Sequence, residues 1–151
     1  MERYYEDLQV GEEYVSPGRT VTETDVVNFA CFSADWFSVH TDEEYAKKTQ
    51  YKTRIAHGLM GLALTDGLKI RIPELANVHN IATIYWNYNF RKPIFIGDTV
   101  RVKITIKNKR ETKKTDQGLV VDGVTMLNQR DEVIGEGEHG LLILRRPGSN
   151  K

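Results

Sequence analysis

Three polar features of this chain have the residue types and spacing to move a proton or hold a polarised oxygen. The first is Ser33-Ala34-Asp35-Trp36-Phe37-Ser38-Val39-His40, the second Ile55-Ala56-His57-Gly58, and the third Asp66 within an apolar stretch. A carboxylate and an imidazole facing one cavity can hold a water between them and pass protons near neutral pH. Each would shift the other's pKa, so the pair would titrate as a unit. Asp35 and His40 stand on a connection, where neither helix nor strand geometry forces them together, though a compact turn can. On local pattern alone the plainer reading comes first: Asp35 caps a turn and His40 precedes a helix N-cap.

Gly58 opens an apolar helix whose first backbone N–H groups lack intrahelical partners. Such groups, with the helix dipole behind them, bind anions and would stabilise the enolate-like oxygen of a reacting thioester. Alternatively Gly58 only lets the chain turn tightly before the helix. His57 reads as a positioning or packing residue rather than a catalyst.

The elements that must position these groups fall into a helical first half and a strand-rich second half, which points to α+β. Residues 13–22 read as one short strand broken at Ser16-Pro17-Gly18. Thr22 and Asp25 form a capping box for a helix over about 23–33, and Thr41 and Glu44 repeat it for one over about 42–49. Leu59, Met60, Leu62, Ala63 and Leu64 make a third helix, apolar all round and therefore buried, which Pro73 stops. Gly61 and Gly67 each cost that helix about 1 kcal/mol, which a close-pressing backbone would explain.

From Asn80 the period becomes two. Ala82, Ile84, Trp86, Tyr88 and Phe90 form one apolar face, and Val100, Val102, Ile104 and Ile106 another. Two more strands are expected near 119–127 and 132–144. In the last, Val133, Gly135, Gly137, His139, Leu141 and Ile143 share a face, its glycines leaving room for the buried helix. The economical architecture is a curved antiparallel sheet wrapped around a central apolar helix, the hotdog fold.

The 151 residues make one domain with one core, and no linker divides them. With 40% hydrophobic and 28% charged residues, the composition is that of a soluble globule. Lys plus Arg and Asp plus Glu both number 21, so nucleic acid and anionic membranes are unfavourable partners. Lys107, Lys109, Arg110, Lys113 and Lys114 cluster in a hairpin turn and read as solvated surface. The lone Cys31 excludes an internal disulfide and suits a reducing cytoplasm. No signal peptide or membrane span is evident, and Pro147 to Lys151 reads as a tail.

The order Ser33-x-Asp35-Trp36-x-x-x-His40-x-Asp42, Ile55-Ala56-His57-Gly58-Leu59, Phe90-x-x-Pro93 and Gly97-Asp98-Thr99-Val100 resembles the MaoC-like dehydratases, which include the (R)-specific enoyl-CoA hydratases. The resemblance implies a hotdog homodimer that adds water to a trans-2-enoyl thioester or removes it from a 3-hydroxyacyl thioester. Asp35 and His40 would grip and activate the water, and the Gly58 N–H would polarise the thioester carbonyl. No metal or redox cofactor is implied; coenzyme A enters only as part of the substrate.

Two positions depart from that pattern. Phe37 stands where the hydratase motif has asparagine, which would reshape the acyl pocket. Asp66 stands where better-known (R)-hydratases have a serine, and an acid buried beneath a site is costly unless paired or protonated. Phe37 and Asp66 are therefore expected to meet the substrate. Thr65 could supply a hydroxyl only with a different facing. Asp66 also keeps open an acyl-CoA thioesterase, in which it attacks or activates water at the thioester carbon. A third reading is a non-catalytic acyl-thioester binder in which Phe37 blocks the water site.

Overall fold

The computed structural model describes residues 2–149. Met1, Asn150 and Lys151, and with them the last part of the expected tail, lie outside the described residues. After a 3-10 turn at Tyr5–Asp7 come β1 (Glu13–Val15), β2 (Arg19–Thr20), α1 (Glu23–Ser33), α2 (Ser38–Thr41) and α3 (Glu43–Ala46). Then follow α4 (Gly58–Ile70), α5 (Pro73–Ala76), β3 (Asn80–Phe90), β4 (Thr99–Glu111), β5 (Gln117–Leu127) and β6 (Val133–Leu144). The sheet runs β1-β4-β5-β6-β3, antiparallel throughout, with β2 pairing the start of β4.

Alternation in β4 sends Val100, Val102, Ile104 and Ile106 into the core at 1% exposure or less. Val124 and Met126 of β5 and Met60 and Leu68 of α4 cluster with Val100, Val102 and Ile104, while Ile106 packs in a second cluster with Tyr5, Leu8 and Leu141. This is the hotdog fold, an α+β domain whose sheet packs against the long helix. Truncating a side chain as buried as Leu68 would cost about 2–5 kcal/mol.

The capping box of α1 forms as its sequence predicts. The Asp25 N–H donates to Thr22 Oγ1 (3.3 Å) and the Thr22 N–H to Asp25 Oδ2 (2.8 Å). The predicted box at Thr41 does not. Its hydroxyl donates backwards to the carbonyls of Trp36 and Phe37, so Asp42 caps α3 instead, accepting the Tyr45 N–H at 3.0 Å. The expected helix over 42–49 is accordingly shorter.

Other expectations are corrected by packing. Helix α4 is not buried all round: Leu59 and Ile70 are 65% and 54% exposed, and Ala63, Asp66 and Gly67 share that open side. Gly61 yields to a side chain rather than a backbone, since a Cβ there would come 2.9 Å from Ile94 Cδ1, and Gly67 faces open space. The glycines of β6 make room for β3, not for the helix, with Gly135 seating Tyr88 and Gly137 the backbone of Asn87. In β3 a register shift between Thr83 and Tyr85 breaks the alternation. Thr83 and Trp86 therefore both reach His139, while Ile84 is exposed. Lys109 is not mere solvated surface: its Nζ donates to the carbonyls of Tyr5 and Leu8, both at 2.6 Å, pinning the amino-terminal turn.

Polar groups are also buried between helix and sheet. Lys69 pairs with Asp122, and His139, directly opposite Asp122 in the register, stacks on Trp86 with ring centroids 3.8 Å apart. Burial, aided by the Lys69 charge, pushes the His139 imidazole down to about 3. In the unfolded chain it protonates near 6.5, so between these values the unfolded state binds more protons. Stability therefore falls as pH drops through that window. The melting-temperature advantage of the wild type over His139→Gln is expected to shrink progressively as pH is lowered below 6.5. A gap that stays constant in thermal melts would contradict this.

Candidate active site

Ala34 ends α1 in the left-handed conformation, with φ of 59°, which costs a non-glycine residue about 1–2 kcal/mol. The turn it makes delivers Asp35 with a short-range network already in place. The Asp35 N–H donates to Ser33 Oγ and the Phe37 N–H to Asp35 Oδ1, both at 3.2 Å. The backbone of Phe37 thus orders the carboxylate, and no side-chain amide at this position is needed for that.

His40, half-buried in α2, places Nδ1 2.8 Å from the carbonyl of Ile55. A carbonyl only accepts, so Nδ1 carries the proton of the neutral ring and Nε2 keeps its lone pair. His57 is 2% exposed. Its Nε2–H donates to the Asp35 carbonyl at 2.9 Å, and its ring stacks on His40 at 3.8 Å with Phe29 at 4.9 Å. It holds the Asp35 main chain and the His40 ring at once, the positioning role its sequence context suggests.

One carboxylate oxygen of Asp35 and one ring nitrogen each of His40 and His57 lie within 4.8 Å of one another. The turn does bring Asp35 and His40 together. Such a trio has a spacing a metal could use, yet His40 Nδ1 and His57 Nε2 are committed to carbonyls. His57 Nδ1 is itself buried without a hydrogen-bond partner. What remains is an exposed carboxylate next to a half-buried imidazole whose Nε2 keeps its lone pair, the chemistry of a proton-transfer pair. Burial pushes the His40 imidazole below its ordinary value; the Ile55 bond opposes this, His57 adds to it, and Asp35 opposes it.

His40 and Gly58 line one cavity of about 260 Å³. Gly58 is the first residue of α4, and no side chain from the N-cap residue His57 covers that helix end. Its N–H end is thus presented where an oxygen can be stabilised. A Cβ on Gly58 would meet the Phe90 ring at 3.3 Å, so glycine also keeps this mouth open. Farther in, the walls are Gly61, Tyr88, Ile94, Met126 and Ile134.

Asp35, Phe37 and Asp66 are not among the residues lining this cavity, and Asp35 stands beside it next to His40 and His57. Phe37 is 59% exposed and meets the His40 ring edge-on at 6.3 Å. Asp66 lies on the outer side of α4, exposed, so the expected cost of a buried acid does not arise, and the inward position belongs to Thr65. Sequence reading missed the Ile55 carbonyl, which has no sequence signal, and the pocket role of Tyr88, whose alternation with Trp86 and Phe90 reads as core.

The MaoC like domain profile matches residues 7–127, and the chain belongs to that family. It is 31% identical to an (R)-specific enoyl-CoA hydratase of Rhodospirillum rubrum over 144 residues, 95% of this chain and 93% of that protein. It is 36% identical to Protein MaoC of Klebsiella aerogenes over 109 residues, 71% of this chain but only 31% of that longer protein. Among solved structures, one described as a monoamine oxidase regulatory protein from Archaeoglobus fulgius superposes with a TM-score of 0.90 at 32% identity. That match covers 97% of each chain.

The His40 imidazole is expected to titrate below 6.5 when followed by NMR. Removing the nearby anion in Asp35→Asn should lower it further, because Asp35 favours the imidazolium. A value at or above 6.5 in the wild type, or an upward shift in the variant, would contradict the arrangement.

Proposed function

We propose that this protein is a hydro-lyase that adds water across the double bond of a trans-2-enoyl-CoA thioester, or removes it from the 3-hydroxyacyl-CoA. The observation that carries the reading is the shared cavity of His40 and Gly58, with the Asp35 carboxylate beside the His40 ring. The carboxylate and the Nε2 lone pair hold the water. Its hydroxyl adds to C3, its proton passes to this pair, and negative charge moves onto the thioester oxygen. The Gly58 N–H stabilises that oxygen, and return of the proton to C2 completes the addition. The reaction so written draws on no metal or redox cofactor, with coenzyme A present only as the substrate's carrier.

A thioesterase needs Asp66 at the thioester carbon, and its place on the outer side of α4 speaks against that role. Phe37 stands at the edge of the site and leaves the His40 cavity open, which speaks against a blocked binder. The unpaired, exposed Cys31 suits a reducing cytoplasm, where we place the protein. Among the described residues no helix is long and apolar enough to cross a membrane.

The working form is a homodimer. Strand β3 ends the sheet, its side away from β6 unpaired by any strand among the described residues, and Ile81, Ile84 and Phe90 on it are 44%, 52% and 55% exposed. Leu59 and Ile70 of α4 are exposed as well, and long open edges with apolar side chains invite pairing. Sedimentation at micromolar concentration should show twice the chain mass; a monomer would refute the dimer.

Asp35→Asn and His40→Gln should each lower kcat for hydration of crotonyl-CoA by about 10²- to 10⁴-fold with the fold intact. Loss of the conjugated double bond is followed by absorbance. Asp66→Asn should retain most activity, and no form should release thiol from an acyl-CoA. Thiol release by the wild type that stops in Asp66→Asn and persists in Asp35→Asn would establish the thioesterase instead.

A further inference from the structure

Two cavities lie between α4 and the sheet. The site cavity sits under the first turns, beside Gly58 and Gly61. The other sits under the last turn, lined among others by Lys69, Asp122, Leu141 and Ile143. They share no lining residue. From Gly61 to Lys69 the helix climbs about 12 Å, at about 1.5 Å per residue. A groove that could have run the length of the helix is interrupted midway.

The interruption is centred on Tyr88. Thr65, fully buried midway along α4, donates its hydroxyl proton to the Gly61 carbonyl at 2.9 Å. With that proton committed, the Tyr88 hydroxyl is the donor in its 3.4 Å contact with Thr65 Oγ1. Trp86 and Phe90 brace the Tyr88 ring edge-on, at 6.3 and 5.3 Å between centroids. On the sheet below, a Cβ at Gly135 would overlap the Tyr88 hydroxyl, so the ring's seat exists because that residue is glycine. Turning the ring aside would strand its hydroxyl away from Thr65 in apolar surroundings, which is costly. Beyond it lie the stacked Trp86 and His139 rings and the Lys69–Asp122 pair, which forms one side of the otherwise largely apolar second cavity.

We propose that Tyr88 closes the inner end of the acyl cavity and confines the enzyme to short-chain enoyl thioesters, an inference that rests on the hydro-lyase reading above. A longer chain must displace a ring held by a hydrogen bond, two aromatic neighbours and a glycine seat. Hydrophobic pockets discriminate about 10- to 200-fold per misplaced methylene, so a closed wall separates chain lengths sharply.

The test compares crotonyl-CoA with trans-2-octenoyl-CoA for the wild type, Tyr88→Val and Tyr88→Phe. The wild type should favour crotonyl-CoA in kcat/KM by about 10²-fold or more. Tyr88→Val should reduce that preference at least about tenfold, mainly by gaining octenoyl-CoA turnover, whereas Tyr88→Phe, which keeps the ring, should retain it. If Tyr88→Val does not fold, Tyr88→Leu takes its place. A wild type that hydrates both thioesters alike, or a folded Val or Leu variant with unchanged preference, overturns the proposal while leaving the hydro-lyase reading standing. Calorimetric binding of butyryl-CoA and octanoyl-CoA separates the two failures. If no form hydrates either substrate but octanoyl-CoA binding tightens only when the ring is removed, the wall stands and the hydro-lyase reading falls. If binding does not respond either, both fall.

Discussion

The hydrogen bond from His40 Nδ1 to the Ile55 carbonyl, 2.8 Å long, is the contact on which the rest of the site depends. Its net worth to stability is only about 1 kcal/mol, but it decides which nitrogen of His40 keeps a lone pair. It also ties the connection after α1 to the segment that enters α4. That segment is itself clamped to the strip ahead of β4: the Ala56 N–H donates to the Ile94 carbonyl at 2.9 Å, and Ile55 bridges Phe95. The proton-transfer pair and the N-terminus of α4 are thereby fixed relative to one another.

The site itself is assembled from weakly buried chain. Asp35, Trp36 and Phe37 are exposed, and Ala34 is held in a left-handed turn that a glycine would adopt at less cost. This segment keeps its shape because its polar groups find partners nearby, Ser33 and Phe37 for Asp35, and because buried His57 grips its backbone from below. Strain and exposure are borne at the site, and stability is supplied by the sheet, whose β4 side chains reach zero exposure.

Behind the site the interior is more polar than a pure packing solution would make it. The Lys69–Asp122 pair and His139 displace hydrocarbon from beneath α4, and burial drives the Asp122 carboxyl above its ordinary value despite the neighbouring ammonium. Buried pairs of this kind rarely add net stability over apolar side chains of equal volume. Here Lys69 and Asp122 line the cavity under the last turn of α4, so their effect is on the shape and polarity of the space under the helix.

The sequence by itself determined whatever depends on neighbours along the chain. The Thr22–Asp25 capping box, the buried face of β4 and the order of Asp35, His40 and Gly58 within a family pattern were legible because they arise from contacts or spacings over a few residues. Tertiary structure decided the rest. Asp42 caps α3 because the Thr41 hydroxyl finds better acceptors behind it, and the β3 register shift turns Thr83 toward His139. Asp66 points outward while Thr65 points in, because one residue along a helix rotates the side chain by about 100°. The His40 tautomer and the seat of Tyr88 rest on partners far along the chain, Ile55 for one and Thr65 and Gly135 for the other. No local pattern encodes contacts that exist only once helix and sheet have packed.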